Sequence, residues 1–143
     1  MESGFKLVKP KQLRHRKYPY VTITKSGNLY LNINAIRKMN LLRQRYVYIF
    51  YNADEKIIAL KPSPEETEAT FVFSVNKKKQ GGYIACKSFL GEIGLYHRLF
   101  TSSQKLRYRA IWSEKEKMLY IPLTQEGLKK FLNIEASHEN PLE

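Results

Sequence analysis

Lys25-Ser26-Gly27-Asn28-Leu29-Tyr30-Leu31-Asn32-Ile33-Asn34-Ala35-Ile36-Arg37-Lys38-Met39-Asn40-Leu41 is the stretch on which the fold turns. Ser26-Gly27-Asn28 is a tight turn, because Gly and Asn accept the positive φ that a short hairpin needs. Leu29-Tyr30-Leu31 is a strand. Asn32 and Asn34 are each able to accept a bond from exposed helix N–H groups, so either can be the N-cap. Ala35 to Met39 is about one and a half helical turns. Asn40 suits the left-handed conformation that ends a helix.

Upstream, the β-branched and aromatic run Tyr20-Val21-Thr22-Ile23-Thr24 predicts the partner strand of a hairpin. Downstream, Tyr46-Val47-Tyr48-Ile49-Phe50-Tyr51 is apolar or aromatic at every position, which predicts a central strand covered on both faces. Asn52 to Lys56 is a polar turn, and Ile57 to Leu60 returns as a second hairpin. Pro62 to Glu68, with two prolines and three acids, reads as a linker.

The same order then recurs. At an offset of 54 positions, Lys25-Ser26-Gly27-Asn28 meets Lys79-Gln80-Gly81-Gly82, and Leu29-Tyr30-Leu31 meets Tyr83-Ile84-Ala85. The cap candidate Asn34 meets Ser88, the stop Asn40 meets Gly94, and Leu41 meets Leu95. Seven extra residues in the later loop shift the offset to 61. Phe50-Tyr51-Asn52 then meets Ile111-Trp112-Ser113, Lys56 meets Lys117, and Ile57 to Leu60 meets Met118 to Ile121. A β-β-α-β-β unit is too small to bury its own core, so two copies need each other. The chain therefore divides into an arm (1–19), a first unit (20–62), a linker (63–70), a second unit (71–123), and a C-terminal helix capped by Thr124 with its tail (124–143). The fold class is mostly β with short helices.

Gly27 to Leu41, followed by the hairpin to Leu60, resembles the AbrB/MazE/MraZ type of swapped-hairpin domain. That family has a Gly-led turn, a strand, a short helix with an apolar-Arg pair, and a closing hairpin. The resemblance implies two β-β-α-β-β units in one intertwined swapped-hairpin barrel, in the tandem arrangement of the MraZ branch. It also implies DNA binding. Asn28 and Asn32 stand where the family usually has Arg and Pro, and Ile36-Arg37 matches only with a one-residue shift. Gly91 replaces Arg37 in the second unit, so this reading leaves the basic surface mostly to the first.

Charge points the same way. The chain carries 25 Lys and Arg against 13 Asp and Glu, a formal +12. Residues 1–62 hold most of that excess, and a field of one sign attracts polyanions, of which nucleic acid is the commonest. The candidate contacts are Lys6, Lys9, Lys11, Arg14, Arg16 and Lys17 on the arm, Lys25 and Asn28 at the first turn, Arg37, Lys38, Arg43 and Arg45 on the helix and the loop after it, and Lys77, Lys78 and Lys79 at the second turn. Arg and Asn read base edges, while Lys mostly meets phosphate. Any one of them taken alone reads more readily as a solvated charge than as a contact, and only the set favours binding; the plain alternative for the arm is a solvated tail. Tyr18, Tyr20 and Tyr30 are candidates for stacking on single-stranded bases, with core packing as the plain alternative.

The sequence gives no support to catalysis. His15, His97 and His138 lack the spaced companions of a metal site. No phosphate loop, dinucleotide fingerprint or nucleophile elbow occurs. Cys86 reads as a core residue, and as the single cysteine it permits no intrachain disulfide. Neither a cofactor nor a metal is expected. No signal peptide or spanning helix is read, so a protein of the cytoplasm, the nucleoid or a virion, without a membrane partner, is expected. The expected function is duplex DNA binding with some sequence preference, as a transcriptional regulator, DNA being favoured over RNA and a homo-oligomer allowed. The alternatives are a structural part of a virion or ribonucleoprotein particle, or a single-strand or RNA binder.

Overall fold

Residues 4–7, 18–76, 80–95 and 106–139 are described by a computed structural model of the chain, with side chains through residue 133. Strands β1 (Tyr20–Ile23) and β2 (Asn28–Asn32) alternate half-buried and buried residues, with Val21, Ile23, Leu29 and Leu31 pointing inward. That period of two is the mark of a sheet with one face on a core. The remaining strands are β3 (Tyr46–Asn52), β4 (Ile57–Ser63), β5 (Phe71–Val75), β6 (Gly81–Ala85), β7 (Leu106–Arg109), β8 (Ile111–Ser113) and β9 (Met118–Pro122). Three helices accompany them: α1 (Ile33–Met39), α2 (Lys87–Glu92) and α3 (Gln125–Glu139).

All pairings are antiparallel, in the order β7-β1-β2-β6-β5-β3-β4-β9-β8. The two ends of this row, β7 and β8, are one stretch of chain that bends at Ala110, so the sheet closes on itself. The Ala110 N–H donates to the Pro19 carbonyl at 2.9 Å, holding the bend. Strand β5 turns the opposite corner, with Phe71 and Val72 paired to β3 and Phe73 to Val75 paired to β6. Two walls result. The first is β7-β1-β2-β6-β5, and the second is β3-β4-β9-β8. Between them lie Phe73, Ile58, Leu60, Ile84, Leu119 and Ile121, each 2% exposed or less.

Exchanging β1 with β5, β2 with β6, β3 with β7–β8 and β4 with β9 returns the same ring of pairings. Each unit lends its second hairpin to the other: β3 pairs with β5, and β7 with β1. The barrel is thus an intertwined, swapped-hairpin one with a C-terminal helix. The two closing hairpins agree in detail. Asn52 Oδ1 accepts from Glu55 N–H at 3.0 Å and Ser113 Oγ from Glu116 N–H at 3.2 Å. Lys56 and Lys117, 61 positions apart, both take φ 56°. Asn40 at φ 56° and Gly94 at φ 82°, 54 apart, both occupy the left-handed region.

Helix α1 has seven residues, too few to persist alone. It is held by burial of Ile36 and Met39, worth roughly 1.5–3 kcal/mol each, and by its caps. The left-handed Asn40 donates to the Arg37 carbonyl at 3.2 Å, and Leu41 to that of Ile36 at 3.1 Å. This is the Schellman pattern, completed by the buried pair Ile36 and Leu41. The helix touches β1, β2 and β6 of the first wall and β8 and β9 of the second, so it plugs one mouth of the barrel.

Some expectations are corrected. Asn32, not Asn34, is the N-cap: its Oδ1 accepts from the Ala35 N–H at 3.0 Å. Its equivalent at 54 is Cys86, which makes no side-chain cap bond, and Ser88 lies within α2. Gly81 and Gly82 belong to β6 rather than to the second turn. A Cβ on Gly81 would stand 2.0 Å from the Tyr30 hydroxyl, so the glycine makes room for that ring. Strand β3 is not covered on both faces. Phe50 is 49% exposed, because a closed barrel covers only its inner face and α3 lies over β4 and β9 instead. Thr124 caps α3 as expected, accepting from Gly127 N–H at 3.0 Å, and the helix, expected over Gln125 to Leu132, runs on to Glu139.

Candidate nucleic-acid interface

Charge is divided between the walls. In the first wall and its described turns (18–32, 71–76, 80–87 and 106–110) the charged residues are Lys25, Lys87, Arg107 and Arg109, and no acid occurs. In the second wall, Asp54 and Glu55 stand with Lys56 and Lys61 in one hairpin, and Glu114 and Glu116 with Lys115 and Lys117 in the other. There the charges balance. Lys117 is paired with Glu114 at 2.6 Å. That pairing, with a further bond from the Trp112 indole, holds the exposed Glu114 carboxyl below its ordinary range.

The first wall's outer face is built by strand alternation. Arg107 and Arg109, two apart on β7, share a face with Tyr20 and Thr22 of β1, since Tyr20 is paired with Arg109 and Thr22 with Arg107. The same face continues through Tyr30 on β2, paired with Thr22, to Tyr83 on β6, paired with Tyr30. Arg109 stacks its guanidinium 3.9 Å from the centre of the Tyr18 ring, and Arg107 stacks 4.3 Å from that of Tyr20. Such contacts are worth about 0.5–2 kcal/mol and fix a side chain that otherwise sweeps many rotamers. Arg109 Nε is buried without an acceptor among the described residues, which leaves the terminal nitrogens as donors.

Asn32 organises the edge of this face. Its Oδ1 accepts from the Tyr20 N–H at 3.0 Å as well as from Ala35, and its Nδ2 donates to the Tyr18 carbonyl at 2.9 Å. One side chain thereby ties the last residues of the arm to strand β1 and helix α1. Tyr30 lies across Gly81 and accepts from Asn76 Nδ2 at 3.3 Å. Tyr18 is 41% exposed and Tyr83 39% exposed, while Tyr20 and Tyr30 are half-buried.

The sequence candidates are only partly brought together. Lys25 is exposed in the β1–β2 turn, and Asn28 begins β2 with its N–H on Thr24 Oγ1 at 3.2 Å. This turn docks on the start of α2, where Cys86 N–H donates to the Gly27 carbonyl at 3.1 Å. Gly27, at φ 86°, would bring an added Cβ within 2.5 Å of Lys87 Cβ, so Lys87 stands beside this turn. Arg37 and Lys38 are exposed at the far end of β2, about 17 Å away by strand rise. They sit in the last turn of α1, where cations also favour the helix dipole, and Lys38 is close enough to Glu114 to lower its pKa. Arg43 and Arg45 are exposed in the loop before β3. Lys6 is exposed near the start of the chain. Lys9, Lys11, Arg14, Arg16, Lys17, Lys77, Lys78 and Lys79 lie outside the described residues.

The sequence reading left the basic surface mostly to the first unit, with Lys77, Lys78 and Lys79 from the second, and the first wall holds further cations of the second unit. Arg107, Arg109 and Lys87 come from the second unit, and sequence reasoning passed over all three. Their signal was the alternation Arg107-Tyr108-Arg109 in a strand, which puts two cations on one face. Among the described residues no helix is long and apolar enough to cross a membrane, and no cluster of three metal-ligating side chains occurs. Comparison of the chain with protein-family models, with curated proteins and with solved structures finds no match.

Proposed function

We propose that this protein binds duplex DNA through the outer face of the first wall together with the basic arm, and that it regulates transcription from the cytoplasm or nucleoid. The observation that supports this most is the acid-free wall with Arg107 and Arg109 held against Tyr20 and Tyr18, where the arm joins the barrel. Two arginines at i and i+2 of a strand lie about 6.7 Å apart on one face, so both can meet phosphates of a single DNA strand, which carries one charge per nucleotide. Sheets are known to present side chains to either groove in this way. The tandem swapped-hairpin resemblance agrees, as does the formal +12. No catalytic role is assigned.

The test is fluorescence anisotropy with duplex and single-stranded oligonucleotides over a range of salt. The Arg107→Ala/Arg109→Ala variant is expected to reduce the slope of log K against log salt by about 1.8, at roughly 0.9 per phosphate contact on duplex. An unchanged slope and affinity would sink the assignment. The exposed rings of Tyr18 and Tyr83 support a second reading, single-strand binding by stacking. Stronger binding to single strands, lost in Tyr18→Ala/Tyr83→Ala, would favour it.

A further inference from the structure

Tyr18-Pro19-Tyr20 is a stiff stretch by its sequence alone. Pro19 fixes its own φ, and it confines Tyr18 before it to extended backbone. The fold then ties the stretch down from two sides. Asn32 Nδ2 donates to the Tyr18 carbonyl at 2.9 Å, and Asn34 Nδ2 donates to it at 3.4 Å. Asn32 Oδ1 accepts from the Tyr20 N–H at 3.0 Å, and the Ala110 N–H donates to the Pro19 carbonyl at 2.9 Å. Pro19 itself is buried. Tyr18 precedes the β1–β7 ladder, whose first pair is Tyr20 with Arg109. The bonds at the Tyr18 carbonyl therefore add nothing to the ladder. What they fix is the place of the Tyr18 ring.

That ring is 41% exposed, so the clamp does not serve to bury it. It lies 3.9 Å from the Arg109 guanidinium, measured to the ring centre. Arg109 Nε is buried, which leaves the terminal nitrogens as the outward donors. No acid among the described residues of the first wall competes for this cation. A guanidinium free to sample its rotamers has to be immobilised when it meets a phosphate, which weakens binding roughly 2- to 10-fold per side chain. One held flat against a ring has lost that freedom already, on folding.

We infer that Tyr18 is a positioning residue for Arg109: it holds the guanidinium ready for a phosphate and does not itself touch the nucleic acid, a role that rests on the duplex-binding reading above and deepens it. The chain of command runs from Asn32 through the Tyr18 backbone to its ring and from there to Arg109. This role differs from base stacking by Tyr18, in which the ring is the contact and Arg109 is incidental to it.

The test is anisotropy on one duplex over a range of salt, with the full chain. Arg109→Ala is expected to lower the affinity, and to lower the slope of log K against log salt by about 0.9. Tyr18→Leu keeps a large apolar side chain at an exposed position. It is expected to weaken binding roughly 2- to 10-fold with the slope unchanged, because Arg109 keeps its charge. Arg109→Lys, which keeps the charge but not the planar stack, is expected to do the same. Tyr18→Phe keeps the ring and is expected to bind within about twofold of the unaltered protein. In an Arg109→Ala background, Tyr18→Leu is expected to cause no further loss. A general loss of stability acts in both backgrounds, so only positioning gives this pattern. Tyr18→Leu binding as the unaltered protein does, while Arg109→Ala binds more weakly, overturns the inference and leaves the duplex reading standing. A Tyr18→Leu loss that persists in the Arg109→Ala background overturns it in favour of direct contact by the ring. A loss as large in Tyr18→Phe overturns it in favour of the hydroxyl. Arg109→Ala with affinity and slope both unchanged removes Arg109 as a contact, and this inference with it.

Discussion

Replacing Asn32 with alanine should destabilise this protein more than almost any other single change at a residue that is not fully buried. The side chain makes three hydrogen bonds, to Ala35 N–H and Tyr20 N–H at 3.0 Å and to the Tyr18 carbonyl at 2.9 Å. Loss of the cap costs about 1 kcal/mol. Each of the other two contributes about 0.5–1.5 kcal/mol, so the total is about 2–4 kcal/mol. For a domain of this size that is a large part of a stability of roughly 5–15 kcal/mol, and it should lower Tm by roughly 6–15 °C. Asn34→Ala is the control, since it removes only a 3.4 Å bond to Tyr18, and it should cost no more than about 0.5 kcal/mol. Asn32→Asp keeps both acceptor bonds but turns a carboxylate oxygen on the Tyr18 carbonyl, so it should fall between the two. Urea unfolding with a constant m-value measures all three. A cost below about 1 kcal/mol for Asn32→Ala, or equal costs at 32 and 34, would refute the cap assignment and the role of Asn32 in seating the arm.

Two glycines of opposite surroundings make a paired prediction. Gly82→Ala places a Cβ 2.5 Å from the Ser74 carbonyl oxygen and 2.3 Å from Phe73, so it should cost about 1–3 kcal/mol by overpacking, read as a lower urea midpoint. Gly91→Ala in α2 meets open space and should raise stability by about 0.5–1 kcal/mol, read as a higher midpoint. Alkaline pH should weaken the fold through Cys86, whose thiol burial pushes up from 9.0 to about 11. The unfolded thiol ionises from about pH 9 while the folded one keeps its proton, so this stability is complete below pH 9 and is lost as pH rises through 11. The loss is roughly 2–3 kcal/mol. Cys86→Ala should flatten that part of the pH profile, and an unchanged slope would place the titration elsewhere.

Much of the fold was legible because it is written in short-range chemistry. The alternation of Val21, Ile23, Leu29 and Leu31, the stop at Asn40 and the turns ending at Lys56 and Lys117 are local features, and all are found where the chain places them. What local reading missed came from neighbours distant in sequence. Gly81 resembles a turn glycine until Tyr30, across the β2–β6 ladder, is known to lie on it. Asn32 and Asn34 are equivalent caps until Tyr18 and Tyr20 are brought alongside. Arg107, Arg109 and Lys87 were passed over for a similar reason. Charge was counted by halves of the sequence, but the halves interleave, so the first wall takes β1 and β2 from one and β5, β6 and β7 from the other. Arg107 and Arg109 belong to the half with the smaller excess and stand in the wall that has no acids.

The exchange of hairpins has a consequence for the segment between Pro64 and Thr70. Four ladders, β1–β7, β2–β6, β3–β5 and β4–β9, join residues on opposite sides of that segment. A proteolytic nick there would leave two pieces that hold each other as the strands of a cable do, with neither able to depart folded. The melting of such a two-piece barrel would depend on its concentration through the association of its own halves, by mass action. The linker's contribution is to keep the two partners present at a fixed, high effective concentration.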